Sequence, residues 1–332
     1  MWNNDYPSSV CLCRPKLLIF AKESGDLTRN VIADIRGEIS ELTPTIIGKV
    51  SVCAQMRLTM VDVKVVNDVT GCSSQYCFIC LRAGKLLNQP IDSQNSEDLD
   101  KYEFGLSPLH AIIRCFELLL KISYRLCMDK PAWRVSKTNF LVKQREAEIN
   151  TALKEQLGIR VSEPRPAGGN SNTGKTGRTF FKEREKVAEI TGLNLQLLER
   201  FYVILKLINS KVDINTDALK IYLEETRELY VSLYAWYPLS PTVHKLLVHG
   251  AEIIKNAVLP IGMFSEEAGE TRNKSIRNFR EHHARKFSRE TNMEDVFKRL
   301  LMTSDPFISL TNRKPSEPTA LDLPETAYHL LK

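Results

Sequence analysis

Two short stretches predict which distant parts of this chain lie together in the fold. They are Tyr76–Cys77–Phe78–Ile79–Cys80 and, far downstream, Val243–His244–Lys245–Leu246–Leu247–Val248–His249. The first offers two thiols at the two-residue spacing that lets one turn present both sulfurs to a tetrahedral ion. The second offers a His-x4-His pair, a spacing found in structural zinc sites. Together they predict a Cys2His2 zinc site that clamps the first part of the chain to a helical part.

The histidine spacing raises a geometric problem. On an ideal helix, residues five apart are rotated by roughly 140° and separated by about 7.5 Å along the axis, so His244 and His249 would not share a face. A zinc site would require a helix end or a distortion. The alternative is that the cysteines are core thiols and the histidines lie on a helix surface. Spacing alone leaves both interpretations open.

Composition places the chain among ordinary globular proteins. It has 332 residues, of which 43% are hydrophobic and 26% charged, and a formal net charge of +6, which weakly favours phosphate-bearing partners. The apolar run 17–20 is too short for a signal peptide or a membrane span, so we expect no membrane association. The other six cysteines are scattered, which indicates buried thiols in a reducing compartment, cytosol or nucleus.

Hydrophobic patterning predicts a strand-rich first part followed by a long helical part. Residues 16–20 and 56–63 have the pattern of extended segments, with a helix at 31–42 between them. The polar stretch 88–101 lacks periodicity and predicts a loop. Beyond it, apolar residues three and four apart predict helices, at 109–122, 144–157, 186–210, 218–236 and 243–257, and a basic helix at 265–287.

These patterns predict four parts in an α/β, predominantly helical chain. Residues 1–87 form the strand-rich part with the cysteine pair, and residues 88–258 form a helical insertion ending in the histidine pair. Residues 259–303 hold a helix with an acidic start and a basic helical region. Residues 304–332 contain prolines and little periodicity, which predicts a loosely ordered tail.

Two acids are candidate ligands for a divalent metal such as magnesium or manganese. Asp62 ends an apolar run, and an acid at the tip of a buried strand can hold a hard cation. Glu270 is followed at helical spacing by Lys274, Arg277 and Arg280, a face suited to a phosphate backbone. The alternative is an ion pair between the glutamate and the lysine on a solvated face. Two-metal phosphoryl transfer normally uses three or more acids, and the sequence offers two.

Residues 169–176 match the G-x-x-x-x-G-K-[ST] pattern of nucleotide-binding loops. Such a loop follows a buried strand, whereas residues 162–167 are mostly polar and include two prolines. We therefore expect no nucleotide cofactor, and a nucleotide-binding switch stays only as a third alternative function. The stretch 163–178 is predicted instead to be a flexible basic loop whose Lys175 and Arg178 can follow a nucleic-acid backbone.

Several of these segments, in this order, resemble the DDE-type recombinase family of Transib transposases and V(D)J recombination-activating proteins. The segment ending in Asp62 is similar to the one bearing the family's second catalytic aspartate, and it precedes the zinc cysteines there too. Residues 243–249 resemble the zinc-histidine helix, and residues 260–274 the catalytic-glutamate motif, with Glu270 at the metal-ligand position. Similar stretches also lie at 104–110, 168–181 and 292–297.

The resemblance implies a partial RNase H-like core with a long helical insertion that carries the Cys2His2 zinc site. It implies a nuclear protein that binds double-stranded DNA, with a homodimer as one expectation. Family members nick DNA with magnesium or manganese and then transfer the strand. The family's first catalytic aspartate lies upstream of the segment similar to residues 8–20. We expect this chain to lack it, and to lack cleavage activity. The other expectation is a non-enzymatic, zinc-stabilised nuclear module that binds DNA or protein.

Overall fold

The computed structural model of this chain describes residues 13–59, 61–90, 99–136, 139–162, 172–264, 267–305, 307–308 and 323–332. These residues are predominantly helical. Their regular elements, in chain order, are α1 (Gly25–Ser40), β1 (Thr45–Ile47), β2 (Val50–Val52), α2 (Val63–Thr70), α3 (Pro108–Ser123), α4 (Phe140–Leu157), α5 (Gly174–Lys182), α6 (Arg184–Thr191), α7 (Leu195–Ile208), α8 (Thr216–Tyr234), α9 (Pro241–His244), α10 (Gly250–Lys255), α11 (Glu267–Asn278) and α12 (Arg289–Thr303). None of the helices in these ranges is long and apolar enough to cross a membrane.

The chain divides into two compact units. The helical unit comprises Cys72–Gly262 and Leu323–Lys332, and the split unit comprises Met1–Gly71 and Met263–Asp322. The long first segment of the helical unit therefore interrupts the split unit in sequence. Both cysteines and both histidines of the predicted zinc site belong to the helical unit, so an ion bound there would join two ends of one unit.

The core of the helical unit is built around α3, which is buried along most of its length. Its start is fixed by Ser107, whose hydroxyl accepts a hydrogen bond from the His110 N–H, with Pro108 in the first turn. Edge-to-face aromatic contacts then connect α3 to α5, because the rings of Phe116 and Phe180 lie 5.0 Å apart. The helix predicted at 109–122 is confirmed.

One helix prediction and one loop prediction needed correction within this unit. The helix predicted at 186–210 is divided into α6 and α7, because Gly192 has a left-handed φ of 73° and Asn194 caps the second helix. The predicted loop 163–178 is helical from Gly174 onward, since the Thr173 side chain accepts from the Thr176 N–H and starts α5. Residues 163–171 lie outside the described part of the chain.

In the split unit, buried Arg272 joins distant segments. Its Nε donates to the Cys13 carbonyl at 3.2 Å, and its Nη1 donates to Thr303 Oγ1 at 2.8 Å. Helix α1 contacts α2, where Arg29 Nη1 donates to the Asp68 carbonyl at 2.6 Å. These hydrogen bonds connect segments of the split unit that are distant in sequence. Helix α1 has no buried residue, so its described hydrogen bond to Asp68 is a surface contact.

The predicted strands at 16–20 and 56–63 are wrong. Residues 16–20 have no regular structure and no partner strand, and α2 begins at Val63, where apolar residues three apart follow a capping aspartate. The described residues contain a single two-stranded antiparallel sheet, β1 with β2, and both strands are exposed. The partial RNase H-like core therefore stays a prediction.

Candidate metal centre

The cysteine pair lies in a tight turn that points both sulfurs the same way. Tyr76 and Ala83 form an antiparallel bridge, and the Cys77 N–H donates to the Arg82 carbonyl at 2.9 Å. The Leu81 N–H donates back to the Cys77 carbonyl at 2.7 Å, and Leu81 has a φ of 57°. A left-handed residue directly after the second cysteine turns the chain sharply. The turn therefore brings the two thiols together.

The histidine pair is brought onto one face by a π-helical turn. Residues Lys245–His249 form this turn between α9 and α10, with hydrogen bonds five residues apart in place of four. Residues five apart then nearly overlie one another, and the ring centroids of His244 and His249 lie 5.4 Å apart. The distortion that the spacing required is present, although the helix predicted at 243–257 did not specify it.

The two motifs meet inside the helical unit. One ligand atom from each of Cys77, Cys80, His244 and His249 lies within 4.8 Å of the other three. Within the cluster, Cys80 Sγ and His244 Nε2 lie 3.3 Å apart. Atoms around a tetrahedral zinc ion lie roughly 3.3–3.8 Å apart, so small side-chain movements would complete the geometry. The cluster could hold a metal ion, and its donors are compatible with zinc.

A backbone carbonyl orients the first histidine. His244 Nδ1 lies 2.7 Å from the Leu87 carbonyl oxygen, an acceptor, so Nδ1 carries the proton and Nε2 faces the sulfurs with its lone pair. His244 is fully buried. This is the arrangement in which an imidazole coordinates a metal and donates its other N–H to a carbonyl.

The second histidine, His249, shows whether the cluster suits a metal ion. His249 is 1% exposed, and neither ring nitrogen makes a hydrogen bond within the described residues. An unpaired buried imidazole costs free energy, because its polar atoms lose water and gain no partner. A metal ion between the sulfurs and the rings would satisfy one of those nitrogens.

The thiols are electrostatically different. The hydrogen bond from Cys77 lowers the pKa of Cys80, against the opposing effect of burial. The same hydrogen bond and burial raise the pKa of Cys77. One thiolate is therefore favoured even before a cation is considered, and thiolates are the form that binds metals.

Two residues that sequence reasoning missed hold the motifs in place. Asn88 is buried; its Nδ2 donates to the Tyr237 carbonyl at 3.2 Å, and its Oδ1 accepts from the Leu239 N–H at 2.8 Å. Lys245 is buried in the π-turn, and its Nζ lies 5.0 Å from the centre of the Phe78 ring between the cysteines. No sequence signal points to the asparagine. The lysine could have been found from the sequence, because it directly follows the candidate ligand His244.

The two candidate acids lie in the split unit, and both are exposed. Asp62 is the N-cap of α2, where its Oδ1 accepts from the Lys64 N–H at 3.3 Å, instead of lying on a core strand as predicted. Glu270 lies in the first turn of α11. Among the residues the structure describes, the cysteine and histidine cluster is the one group of three or more side chains able to hold a metal. Neither acid belongs to such a group.

The candidate DNA contacts fall on two exposed surfaces. Lys274 and Arg277 lie on α11 and Arg280 in the π-helical turn Phe279–His283 that follows it, all exposed in the split unit. The basic helix predicted at 265–287 therefore ends in a π-turn, and residues 265–266 lie outside the described ranges. Lys175 and Arg178 are exposed on α5 of the helical unit, on a helix and not on the predicted loop.

Gly174 of the nucleotide-loop match and Gly177, directly after the match, serve packing. A Cβ at Gly174 would lie 2.4 Å from the Leu109 side chain, and a Cβ at Gly177 would lie 2.5 Å from Ile112 Cγ2. At Gly174 the end of the Leu109 side chain would have to move. At Gly177 the clash is with a β-branched side chain whose backbone carbonyl oxygen is only 3.4 Å away, so glycine lets α5 approach α3 closely there. Residues 169–171 of the match lie outside the described ranges. The described glycines thus have an explanation that needs no phosphate.

Comparison of the chain with models of known protein families and with curated proteins finds no match.

Proposed function

We propose that this chain is a DNA-binding protein of the Transib and recombination-activating type, whose helical unit is stabilised by a zinc ion. The observation that carries the proposal is the convergence of Cys77, Cys80, His244 and His249 across more than 160 residues. The same four ligand types occur in the same order in the family that the sequence resembles.

Zinc is the ion that this ligand set favours. Two sulfurs and two imidazole nitrogens are the donors of structural zinc sites, whereas magnesium and calcium take oxygen ligands. All four positions come from the protein and three of the residues are buried, so no open position is left for a substrate. The ion would hold the start and the end of the long insertion together.

DNA binding is supported by the exposed cations of α11 and its π-turn. Lys274, Arg277 and Arg280 recur every three residues, which places their charges along one side of the helical segment. Such a row can neutralise successive phosphates and release their counterions. The formal net charge of +6 adds a long-range attraction. These contacts carry no base readout, so the proposal covers binding and not sequence specificity.

We propose binding without strand cleavage. In the resembled family, acids such as Asp62 and Glu270 hold magnesium or manganese ions that activate water or a 3′-hydroxyl. A two-metal site normally needs three or more acids, and acids of one site act as a unit. Asp62 already has a sufficient structural role as a helix cap.

The test is binding of the full chain to a fluorescent duplex of mixed sequence over a range of salt concentrations. The triple variant Lys274→Glu, Arg277→Glu and Arg280→Glu should lower affinity and reduce the slope of log affinity against log salt by roughly three. A matched control reverses three exposed lysines elsewhere, Lys143, Lys154 and Lys220. Equal losses of DNA affinity in the two triple variants would refute the assignment of the DNA contact to α11 and its π-turn. Absence of DNA binding by the parent protein would refute the proposed function.

A second candidate is a zinc-stabilised module that binds a protein partner. The observation that favours it is the exposed hairpin of β1 and β2, where Ile46, Ile47 and Val50 are each more than 60% exposed. Exposed β-branched residues beside unpaired strand edges are suited to a protein interface. Absence of DNA binding by a zinc-loaded, folded chain would favour this candidate.

A further inference from the structure

The last described segment, residues 323–332, lies against the helical unit after the chain has passed through the split unit. The chain leaves the helical unit after Gly262 and rejoins it at Leu323. Residues Glu325–Leu330 form a 3₁₀ turn that contacts both α7 and α8. The segment is thus held by tertiary contacts and not by its neighbours in sequence.

Two side chains anchor this segment. Ala327 and Leu330 are both fully buried, and they are three residues apart. A 3₁₀ helix has three residues per turn, so they lie on the same side of the segment. Tyr328, between them, is 54% exposed. The segment therefore presents one apolar edge to the helices and a polar edge to solvent.

The end of the segment is aligned by backbone hydrogen bonds. The Asn215 N–H donates to the Leu330 carbonyl at 2.9 Å, and the Lys332 N–H donates to the Asp213 carbonyl at 3.2 Å. Between them, Leu331 forms an antiparallel bridge with Ile214. The loop that joins α7 to α8 therefore offers a short strand edge, which receives an extended peptide in one direction and register.

We propose that the surface formed by α7, α8 and residues 213–215 is a peptide-binding site, occupied by this chain's own residues 323–332. A single 3₁₀ turn is not stable alone, so the segment takes its conformation from the surface. The ligand class is a short peptide with an alanine and a leucine three apart, followed by an extended end. Covalent attachment keeps the site filled by raising the effective concentration.

The experiment separates the segment from the rest of the chain. A protease site is placed after Ser316, the full chain is cut, and the released peptide is removed by gel filtration. A fluorescein-labelled peptide of residues 323–332 should then bind saturably, with a dissociation constant on the order of 100 μM or below. It should bind the uncut chain at least about tenfold more weakly, because the attached segment competes.

Matched peptides test the anchors. The Leu330→Arg peptide should bind about tenfold more weakly or worse, whereas the Tyr328→Ala peptide should bind within about twofold of the parent. Equal binding of the parent and Leu330→Arg peptides would overturn the assignment, as would equal binding to cut and uncut chains. Absence of saturable binding to a folded cut chain would also overturn it.

Folding of the cut chain is followed by circular dichroism. Removal of the peptide could unfold the cut chain, and a second variant covers that outcome. The uncut Leu330→Arg chain keeps the segment attached but displaces its anchor, so it should bind the labelled parent peptide. Unfolding of this variant as well would overturn the proposal, because the segment would then be part of the core. Exchange of segments between two copies, seen as dimers on gel filtration, would overturn occupancy by the chain's own segment.

Discussion

Cys80 Sγ and His244 Nε2 lie 3.3 Å apart although 164 residues separate them in the sequence. The contact depends on two local distortions, a left-handed residue after the cysteine pair and a π-turn between the histidines. Both are energetically unfavourable as isolated features. Together they bring four side chains to one place, where the cluster could hold a metal ion.

Removal of one ligand should abolish metal binding. The Cys80→Ser and His249→Ala variants should each fall from about one zinc per chain to nearly none by mass spectrometry under native conditions. The midpoint of thermal unfolding should fall by roughly 10 °C or more, because a structural zinc contributes directly to folding. Cys53→Ser, at an exposed cysteine outside the cluster, is the control and should keep its zinc. Retained zinc in both ligand variants would contradict the assignment.

Asn88 should stabilise the zinc-loaded fold through its hydrogen bonds. Asn88→Ala leaves the buried Leu239 N–H without its acceptor, so the free energy of unfolding in urea should fall by about 1–3 kcal/mol. Zinc affinity should fall too, because the neighbouring Leu87 carbonyl orients His244. Gln89→Ala, at the exposed adjacent position, should change neither quantity appreciably. Equal effects of the two substitutions would refute the role of the asparagine.

Gly177 should tolerate no side chain. Gly177→Ala places a methyl group 2.5 Å from Ile112 Cγ2 and should reduce the free energy of unfolding by about 1–3 kcal/mol. Gly269→Ala, within α11, meets no atom within 4 Å and should be neutral or stabilising by up to about 1 kcal/mol. Denaturant unfolding of both variants measures the difference. A stable Gly177→Ala protein would show that α5 can move away from α3 at little cost.

Asp295 should titrate at unusually low pH. The Arg285 side chain and backbone N–H hydrogen-bond to the Asp295 carboxylate, which holds the pKa of that carboxyl well below its usual value. Because the folded-state pKa is depressed, any stabilisation is present above the ordinary aspartate pKa and is lost as pH falls towards the folded-state pKa. NMR titration of the side-chain carboxyl measures it directly. An ordinary aspartate pKa would show that the pair does not persist in solution.

No metal-dependent cleavage should be detected. With manganese and a supercoiled plasmid, the parent protein should nick DNA no faster than the Asp62→Asn and Glu270→Gln variants. Asparagine is chosen because it also caps helices, so the substitution removes the charge while α2 keeps its cap. Nicking by the parent that both variants lose would contradict the binding-only proposal and support a recombinase.

Residue spacing predicted the candidate metal centre better than it predicted the secondary structure. The Cys-x2-Cys and His-x4-His motifs name the four side chains that the structure brings together, because ligand chemistry restricts which residue types recur at short separations. Spacing alone left open the alternative of core thiols and surface histidines. The predictions of strands at 16–20 and 56–63 were wrong. A strand needs a partner strand for its backbone hydrogen bonds, and local periodicity does not reveal whether there is one. Asp62 illustrates the difference: its type was noticed, but its role as a helix cap depended on where α2 begins.

The sequence by itself determined the predominantly helical character, the buried face of α3 and the four side chains of the candidate metal centre, because periodicity and ligand spacing are local properties. Tertiary structure alone decided that the cysteine turn belongs to the helical unit, that a π-turn aligns the histidines and that residues 323–332 rejoin α7 and α8. These features arise from contacts between residues that are far apart in the chain. Local sequence patterns do not show which distant segments will pack together during folding.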